Sequence, residues 1–241
     1  MAPQLPEMPD DFDRVLAVVA HPDDLEYGAS GAIAVWTDAG KTVSYLLVSR
    51  GEAGIDGLDP LVCGPLREAE QVAAAGCVGV DVVEFLDHRD GVIEHTVELR
   101  RDIAGAIRRH RPDVVVIINY EDTWHGRNWN SPDHRNTGRA VLDAIGDAGN
   151  RWIFRDQITD GVEPWGGVRM VAVSGSSTPT HAVAIENGLE PAIASLEAHA
   201  AYLDALSGDM ADARAFLTGM AEAAGERFGG RPAALFHVFG A

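Results

Sequence analysis

Short runs of consecutive apolar residues constrain the fold of this chain more than any other feature. The clearest are residues 15–20, VLAVVA, and residues 114–118, VVVII. Runs of this length are typical of strands that are buried on both faces, as in a parallel sheet covered by helices. The sequence therefore favours a sheet at the centre of the molecule over a helical bundle.

Helix and strand patterns alternate along the rest of the chain. Further strands are predicted at residues 42–49, 82–86, 168–174 and 181–186, and helices at 25–39, from 65 onward, at 96–110, 132–148, 189–206 and 210–224. This alternation predicts one domain, residues 1–241, of the doubly wound α/β class: a mostly parallel sheet with flanking helices. Ligands of such sheets bind at the carboxyl ends of the strands, so functional residues are expected just after positions 20, 49, 86 and 120.

The charge and hydropathy of the chain exclude some classes of partner. Asp and Glu number 37 against 19 Lys and Arg, which gives a net charge of −18 at pH 7. A negative field of this size repels phosphate backbones, so we expect no nucleic-acid partner. No apolar run approaches the ~20 residues that span a bilayer, so we expect no membrane insertion.

Cysteine usage and the N-terminal segment predict a cytoplasmic location. Cys63 and Cys77 form no C-x-x-C pair, which argues against a disulfide framework and against a thiolate zinc site. The segment MAPQLPEMPDDFDR lacks the basic start and the apolar stretch of a signal peptide. A reducing compartment is therefore expected.

An imidazole and two carboxylates directly follow the first predicted strand, as His21-Pro22-Asp23-Asp24. His21 and Asp24 are three residues apart and can reach one ion, and imidazole with carboxylate suits zinc. A third ligand must come from another strand end. His134, at the start of a predicted helix, is the best partner, and His125 is its rival.

The same residues also have a purely structural interpretation. Either aspartate could cap the following helix, with His21 packed in the loop. The concentration of three ionisable groups within four residues favours a metal or catalytic site over this interpretation.

Five segments resemble, in order, the LmbE-like deacetylases, also called the PIG-L family. They are AHPDDLEYGASG, SRGEAG, LREAE, FLDHRDG and SPDHRNTG, and the resemblance covers roughly residues 14–145. It implies a Rossmann-like α/β fold and a metal-dependent hydrolase that removes acetyl or other acyl groups from amino sugars. The implied partner is a small N-acylated amino-sugar substrate, and the implied cofactor is one Zn²⁺ per chain. Iron(II) stays open because His and Asp accept both metals.

Carried over position by position, the resemblance assigns the reaction centre. It makes His21, Asp24 and His134 the metal ligands and Asp23 the general base. Asp133 matches a catalytic position that supports neighbouring active-site groups.

The resemblance also implies substrate-binding residues, each with an alternative. Glu52, Arg67 and Asp90 match positions that face the substrate, but the two acids could be exposed loop residues and Arg67 part of a solvated helix face. Trp129, together with Trp124, could offer an apolar face to a sugar ring or pack at the edge of the domain.

Ser131 departs from the family, which often has His at this position. A serine hydroxyl is a poor general acid at neutral pH. Proton delivery could pass to His125, His181 or His199, or be left to the metal alone. The departure also leaves two other functions open: a metal-binding protein of the same fold without turnover, and an amidase acting on a non-sugar amide such as a thiol conjugate. A homo-oligomer is equally open.

Overall fold

The computed structural model describes residues 3–159 and 161–241. Its strands, in chain order, are β1 (Arg14–Val19), β2 (Thr42–Leu47), β3 (Val82–Phe85), β4 (Val114–Ile118), β5 (Thr123–Trp124), β6 (Asn128–Trp129), β7 (Met170–Ser174), β8 (His181–Ala184) and β9 (Ala233–Gly240). Seven of them form one sheet in the order β3-β2-β1-β4-β7-β9-β8. The first five strands of this order, β3, β2, β1, β4 and β7, run parallel to one another. Strand β9 is antiparallel to its two neighbours, β7 and β8.

Helices cover both faces of the sheet. They are α1 (Ser30–Asp38), α2 (Pro60–Cys77), α3 (Val97–His110), α4 (Pro132–Gly149), α5 (Leu189–Glu197), α6 (Ala200–Ala205) and α7 (Ala213–Gly225). None of the helices within the described residues is long and apolar enough to cross a bilayer.

The apolar run of β1 divides between two cores because successive side chains point to opposite faces of a strand. Val15, Ala17 and Val19 pack with Ile33 and Trp36 of α1 on one face. On the other face, Leu16 and Val18 of the same strand pack with α3 and α4. Burial on both faces explains why this strand lacks the polar alternation of a half-exposed one.

The structure confirms the doubly wound, mostly parallel sheet, and it revises several boundaries. Helix α2 begins at Pro60, five residues before the predicted start at Pro65, because the Asp59 side chain accepts a hydrogen bond from the Leu61 amide and caps it. Residues 25–29 form turns ahead of α1. The predicted helix at 189–206 is two helices, which meet near His199. Strand β9 and the β5–β6 hairpin are additions to the predicted elements.

Candidate active site

The ends of β1 and β4 bring three ionisable side chains to one point. His21 and Asp24 lie in the turn after β1, and His134 lies in the first turn of α4. One nitrogen or oxygen from each lies within 4.8 Å of those from the others. His134 Nε2 is 3.1 Å from Asp24 Oδ1 and 3.3 Å from His21 Nδ1. Such a group of donors can hold a metal ion.

The far side of the His21 ring is fixed by two carboxylates. Its Nε2 lies 3.1 Å from Asp133 Oδ2 and 3.1 Å from Asp90 Oδ1. Asp133 is itself anchored, because its oxygens accept hydrogen bonds from the Gly91 amide at 2.7 Å and the Ile93 amide at 3.1 Å. Carboxylates accept but do not donate when ionised, so the proton of this ring lies on Nε2. Nδ1 is left to face Asp24.

Asn130 fixes the ring of His134 in the same way. Its Oδ1 lies 2.9 Å from His134 Nδ1, while its Nδ2 donates to the carbonyls of Asn119 at 2.8 Å and Glu121 at 2.9 Å. The two carbonyls assign the amide nitrogen, so the oxygen faces the imidazole and accepts from Nδ1–H. The Nε2 lone pair of His134 therefore points at Asp24.

This arrangement favours a positive charge between the imidazoles and the carboxylate. Asp24 Oδ2 accepts hydrogen bonds from the amides of Ala20 at 3.0 Å and His21 at 2.9 Å, which stabilise the ionised form. Burial raises the pKa of Asp24, but the neighbouring charges of His134 and His21 outweigh it and hold this pKa well below its usual range. Burial lowers the pKa of His21, but Asp24 and hydrogen bonds to three carboxylates raise it well above its usual range. Two imidazole nitrogens and an oxygen that face one another are a suitable donor set for a divalent ion, and outer carboxylates and amides of this kind orient metal-bound histidines.

Asp23 adopts a conformation that is rare for a residue with a side chain. Its φ is +79°, in the left-handed region, and it is buried. Its amide donates to Gln71 Oε1 at 3.0 Å, and its carboxylate accepts from Arg67 Nη2. Burial raises the pKa of Asp23 to about 7, although the Arg67 charge acts in the opposite direction. A carboxyl group in this range can both accept and release a proton near neutral pH.

Arg67 connects the loops after β1 and β2. Besides Asp23, its guanidinium donates to the carbonyls of Gly51 at 3.1 Å and Pro22 at 2.8 Å. The guanidinium also lies over the Tyr202 ring, 4.4 Å from its centroid. A Cβ on Gly51 would lie 2.3 Å from Arg67 Nη1, which explains why the loop approaches it through glycine.

A cavity of about 700 Å³ opens above these groups. Its polar lining includes His21, Asp23, Asp24, Arg67, Asp90, Asn128 and His134. Aromatic and apolar side chains form much of the rest, namely Tyr27, Ile118, Trp124, Tyr202, Met210, Phe216 and Met220, and His125, Ser131 and Ser174 also line it. A pocket with a few convergent polar groups and apolar walls is typical of a small-molecule site.

Comparison with known proteins identifies the family. Residues 16–145, more than half of the chain, match the family described as PIG-L: GlcNAc-PI de-N-acetylase. The chain belongs to the PIG-L family. The resemblance seen in the five sequence segments is thereby confirmed.

Two curated relatives and one solved structure illustrate the PIG-L match. Diacetylchitobiose deacetylase of Thermococcus kodakarensis is 30% identical over 193 residues, which cover 78% of this chain and 70% of the relative. A probable N-acetyl-alpha-D-glucosaminyl L-malate deacetylase 2 of Bacillus anthracis is 30% identical over 139 residues, covering 55% of this chain and 59%, less than two thirds, of the relative. The structure of N,N'-diacetylchitobiose deacetylase from Pyrococcus horikoshii with its inhibitor MPG matches with a TM-score of 0.83 at 24% identity, over 95% of this chain and 84% of that one. This last match shows a common fold.

Of the four residues expected to bind the substrate, two line the cavity and two do not. Arg67 and Asp90 line the cavity. Glu52 does not line it, and its Oε1 accepts a hydrogen bond from the Asp90 amide at 2.9 Å. Trp129 is 68% exposed, lies under the Arg135 guanidinium and does not line the cavity, whereas Trp124 does.

Ser131 has a structural role in this PIG-L protein. Its hydroxyl caps α4 by accepting a hydrogen bond from the His134 amide at 3.1 Å, although it also touches the cavity. Of the three histidines that could replace a family acid, His125 lines the cavity. His181 lies on β8 beside Thr180, and His199 is fully buried outside the cavity wall.

Several site residues have no signal in the sequence. Asn130 orients the ring of His134, and Gln71 accepts a hydrogen bond from the Asp23 amide. Both contacts join residues through the tertiary fold, so no sequence motif marks them. Tyr202 and Phe216 reach the cavity from α6 and α7, far along the chain from the matched segments. Only Asn130 lies close enough to the SPDH segment to have been suspected.

Proposed function

We propose that this protein is a metal-dependent N-deacetylase that hydrolyses the acyl amide of an N-acylated amino sugar. The observation that carries the proposal is the convergence of two oriented imidazoles and the Asp24 carboxylate beside the buried Asp23 in one cavity. Membership of the PIG-L family and the named activities of the deacetylase relatives support the amino-sugar amide as the target.

The metal would be held by His21, Asp24 and His134, one ion per chain. Two imidazoles and a carboxylate with an open position are the ligands that zinc takes in hydrolytic sites. When bound, zinc supplies a Lewis acid that polarises the acyl carbonyl and activates water near neutral pH. Iron(II) accepts the same donors, so metal analysis of the purified protein distinguishes the two ions.

Asp23 would act as the general base. Its carboxylate lies on the cavity wall next to Asp24, and Arg67 holds one of its oxygens in place. The carboxylate takes a proton from the attacking water while a C–O bond forms at the acyl carbon. The C–N bond then breaks as the nitrogen receives a proton, which leaves a carboxylate and a free amine.

Asp133 and Asp90 would orient His21, and the cavity walls would orient the sugar. The Asp133 and Asp90 oxygens lie 3.1 Å from the outer nitrogen of His21. Asp90 and Arg67 are then available to sugar hydroxyls at the cavity wall, with Glu52 holding the Asp90 loop. Of the two tryptophans considered from the sequence, Trp124 would offer the apolar face to the sugar, because it lines the cavity and Trp129 does not.

A screen of N-acylated amino sugars with detection of the released amine tests this function. N-acetylglucosamine, its glycosides and diacetylchitobiose are incubated with zinc-loaded protein and with protein treated with a chelator. Amine release that requires metal supports the proposal. Stoichiometric metal binding without amine release from any substrate would favour a binding protein, and release from non-sugar amides alone would favour the amidase.

A further inference from the structure

Helix α2 presents two buried polar side chains to the turn that carries Asp23. Arg67 and Gln71 are four residues apart on this helix, so their side chains lie on one face. Only 2% of Arg67 and 1% of Gln71 is exposed. Polar side chains are buried to this extent when they are hydrogen-bonded, so their partners indicate what this face of α2 does.

The two side chains hold Asp23 at its carboxylate and at its backbone. Arg67 Nη2 donates to the Asp23 carboxylate, and Gln71 Oε1 accepts a hydrogen bond from the Asp23 amide at 3.0 Å. The φ of Asp23 is +79°, and a residue with a side chain keeps such a conformation only where its surroundings determine it. Because the amide nitrogen and the side chain are both attached to Cα, fixing the amide in this conformation also fixes the direction of the carboxylate.

Glu26 determines which way the amide group of Gln71 faces. Gln71 Nε2 donates to Glu26 Oε1 at 2.9 Å. An ionised carboxylate only accepts and a backbone amide only donates, so Gln71 turns its nitrogen to Glu26 and its oxygen to Asp23. Glu26 is fully buried, and Ser195 Oγ lies 3.3 Å from the same carboxylate oxygen. The three groups thus form a buried chain of hydrogen bonds that ends at the Asp23 backbone.

Asp24 is held by other contacts. Its Oδ2 accepts hydrogen bonds from the amides of Ala20 and His21, which belong to the same turn and not to α2. Gln71 does not line the cavity of about 700 Å³. Removing the Gln71 amide group therefore leaves the contacts of the proposed metal ligands and the cavity wall in place.

We propose that Gln71, oriented by Glu26, is a positioning residue that stabilises the left-handed backbone of Asp23 and so directs the Asp23 carboxylate at the water that it deprotonates. The effect on turnover rests on the proposed function, whereas the effect on the Asp23 backbone does not. A Gln71 that only satisfied buried polar groups would contribute to the free energy of unfolding and leave the turnover of folded, metal-loaded protein unchanged.

Gln71→Leu separates these two roles. In zinc-loaded protein, kcat for an N-acetylated amino sugar is expected to fall by about 10- to 100-fold, since a misplacement of about 1 Å can cost a catalytic group roughly 100-fold. KM and zinc content are expected to be unchanged. Should Gln71→Leu not fold, Gln71→Met removes the same amide group with an unbranched side chain.

Gln157→Leu is the matched control. Gln157 also donates one hydrogen bond, to the Arg101 carbonyl at 2.7 Å, and accepts one, from Arg108 Nη1 at 2.9 Å, but it lies outside the cavity wall. This variant is expected to lower Tm and to keep kcat. Equal losses of kcat in the Gln71 and Gln157 variants, or loss of zinc from the Gln71 variant, would overturn the inference.

Exchanging the two side chains tests the chain of hydrogen bonds itself. In the double variant Glu26→Gln with Gln71→Glu, the amide nitrogen at position 26 can donate to the carboxylate at position 71, which can still accept from the Asp23 amide. The double variant is expected to recover most of the kcat that Gln71→Leu loses. A folded double variant as slow as Gln71→Leu would contradict the inference.

Hydrogen exchange of the Asp23 amide, followed by NMR in zinc-loaded protein, reports on the backbone without any turnover. Exchange is expected to be roughly 3- to 10-fold faster in Gln71→Leu, the effect of losing one hydrogen bond, and to slow again in the double variant. Gln157→Leu is expected to exchange as the wild type does. An unchanged rate in Gln71→Leu would overturn the inference. Faster exchange in a protein whose wild type hydrolyses no amino sugar would support the backbone role and overturn the proposed function instead.

Discussion

At the scale of single residues, the site depends on two adjacent aspartates that face different partners. Asp24 points at the two imidazoles, and the left-handed backbone of Asp23 turns its carboxylate toward Arg67. The sequence predicted that both carboxylates belong to one site. It could not predict the positive φ, because that conformation is imposed by the contacts of the surrounding loops.

The different environments of these aspartates predict different variant phenotypes. Asp23→Asn is expected to retain the metal and to lose turnover by about 10²-fold or more, the contribution typical of a general base. Metal content by atomic spectroscopy and kcat are measured on the same sample. Asp24→Asn is the matched control and is expected to lose the metal. Loss of metal and rate together in Asp23→Asn would assign Asp23 as a ligand.

Asn130 is expected to raise metal affinity by orienting the ring of His134. Asn130→Ala removes the acceptor for His134 Nδ1–H, and changes of this kind lower metal affinity by roughly 10- to 100-fold. Competition with a chromogenic chelator measures the affinity. Asn128→Ala, at a cavity position two residues away, is the control and is expected to leave the affinity unchanged. Equal losses in the two variants would argue against the orienting role.

We propose His125, the candidate histidine that lines the cavity, as the proton donor to the leaving amine. His125→Asn keeps a residue type that tolerates its φ of +51° while removing the imidazole. Turnover is expected to fall with metal content unchanged, and the alkaline limb of the pH–rate profile is expected to change. His181→Asn, on β8, is expected to leave both unchanged. An unaltered profile in His125→Asn would leave Asp23 as the proton donor.

At the scale of elements, the buried strands were more predictable than the ends of the helices. The continuous apolar runs of β1 and β4 are typical of strands in a parallel sheet that helices cover on both faces. Helix α2 starts early because the Asp59 side chain caps it and Pro60 occupies its first turn, so Pro65 lies inside the helix and not at its start. Strand β9, sequence AALFHVFG, follows the last helix and pairs antiparallel with β7 and β8, a direction that the alternation of strands and helices does not predict.

Strand β3 is held to α3 by an ion pair that predicts a pH dependence. Glu84 accepts a hydrogen bond from His110 at 2.7 Å. This hydrogen bond and the contact with Arg109 lower the pKa of the Glu84 carboxyl to about 2. A lowered pKa means that the folded state favours the ionised form, so the stabilisation is present near neutral pH and is lost as the pH falls from about 4.5 toward about 2. Glu84→Gln is expected to lower Tm slightly at pH 7, with a difference from wild type that shrinks in acid. Glu94→Gln, an exposed acid with no ion pair in the described structure, is the control. A difference that is constant with pH would contradict the assignment.

At the scale of the whole molecule, the reaction centre and the cavity walls come from different parts of the chain. The proposed metal ligands lie in the matched segment, at the carboxyl-end edge of the sheet, where the fold class predicts a site. Tyr202, Phe216 and Met220 of the cavity wall come from α6 and α7, beyond the matched segment. Sequence segments could therefore indicate the chemistry, whereas the shape of the substrate site required the packed structure.

A metal titration of turnover tests directly whether this protein is a metal-dependent deacetylase. Protein treated with a chelator and dialysed is titrated with zinc, and the amine released from an N-acetylated amino sugar is measured at each point. We expect turnover to be near zero at the start, to rise in proportion to added zinc and to reach a plateau at one equivalent per chain. The His134→Ala variant is expected to show no such rise. Turnover that is unaffected by the chelator, or that stays absent at full metal loading with every amino sugar in the screen, would contradict the claim that this site is a metal-dependent deacetylase.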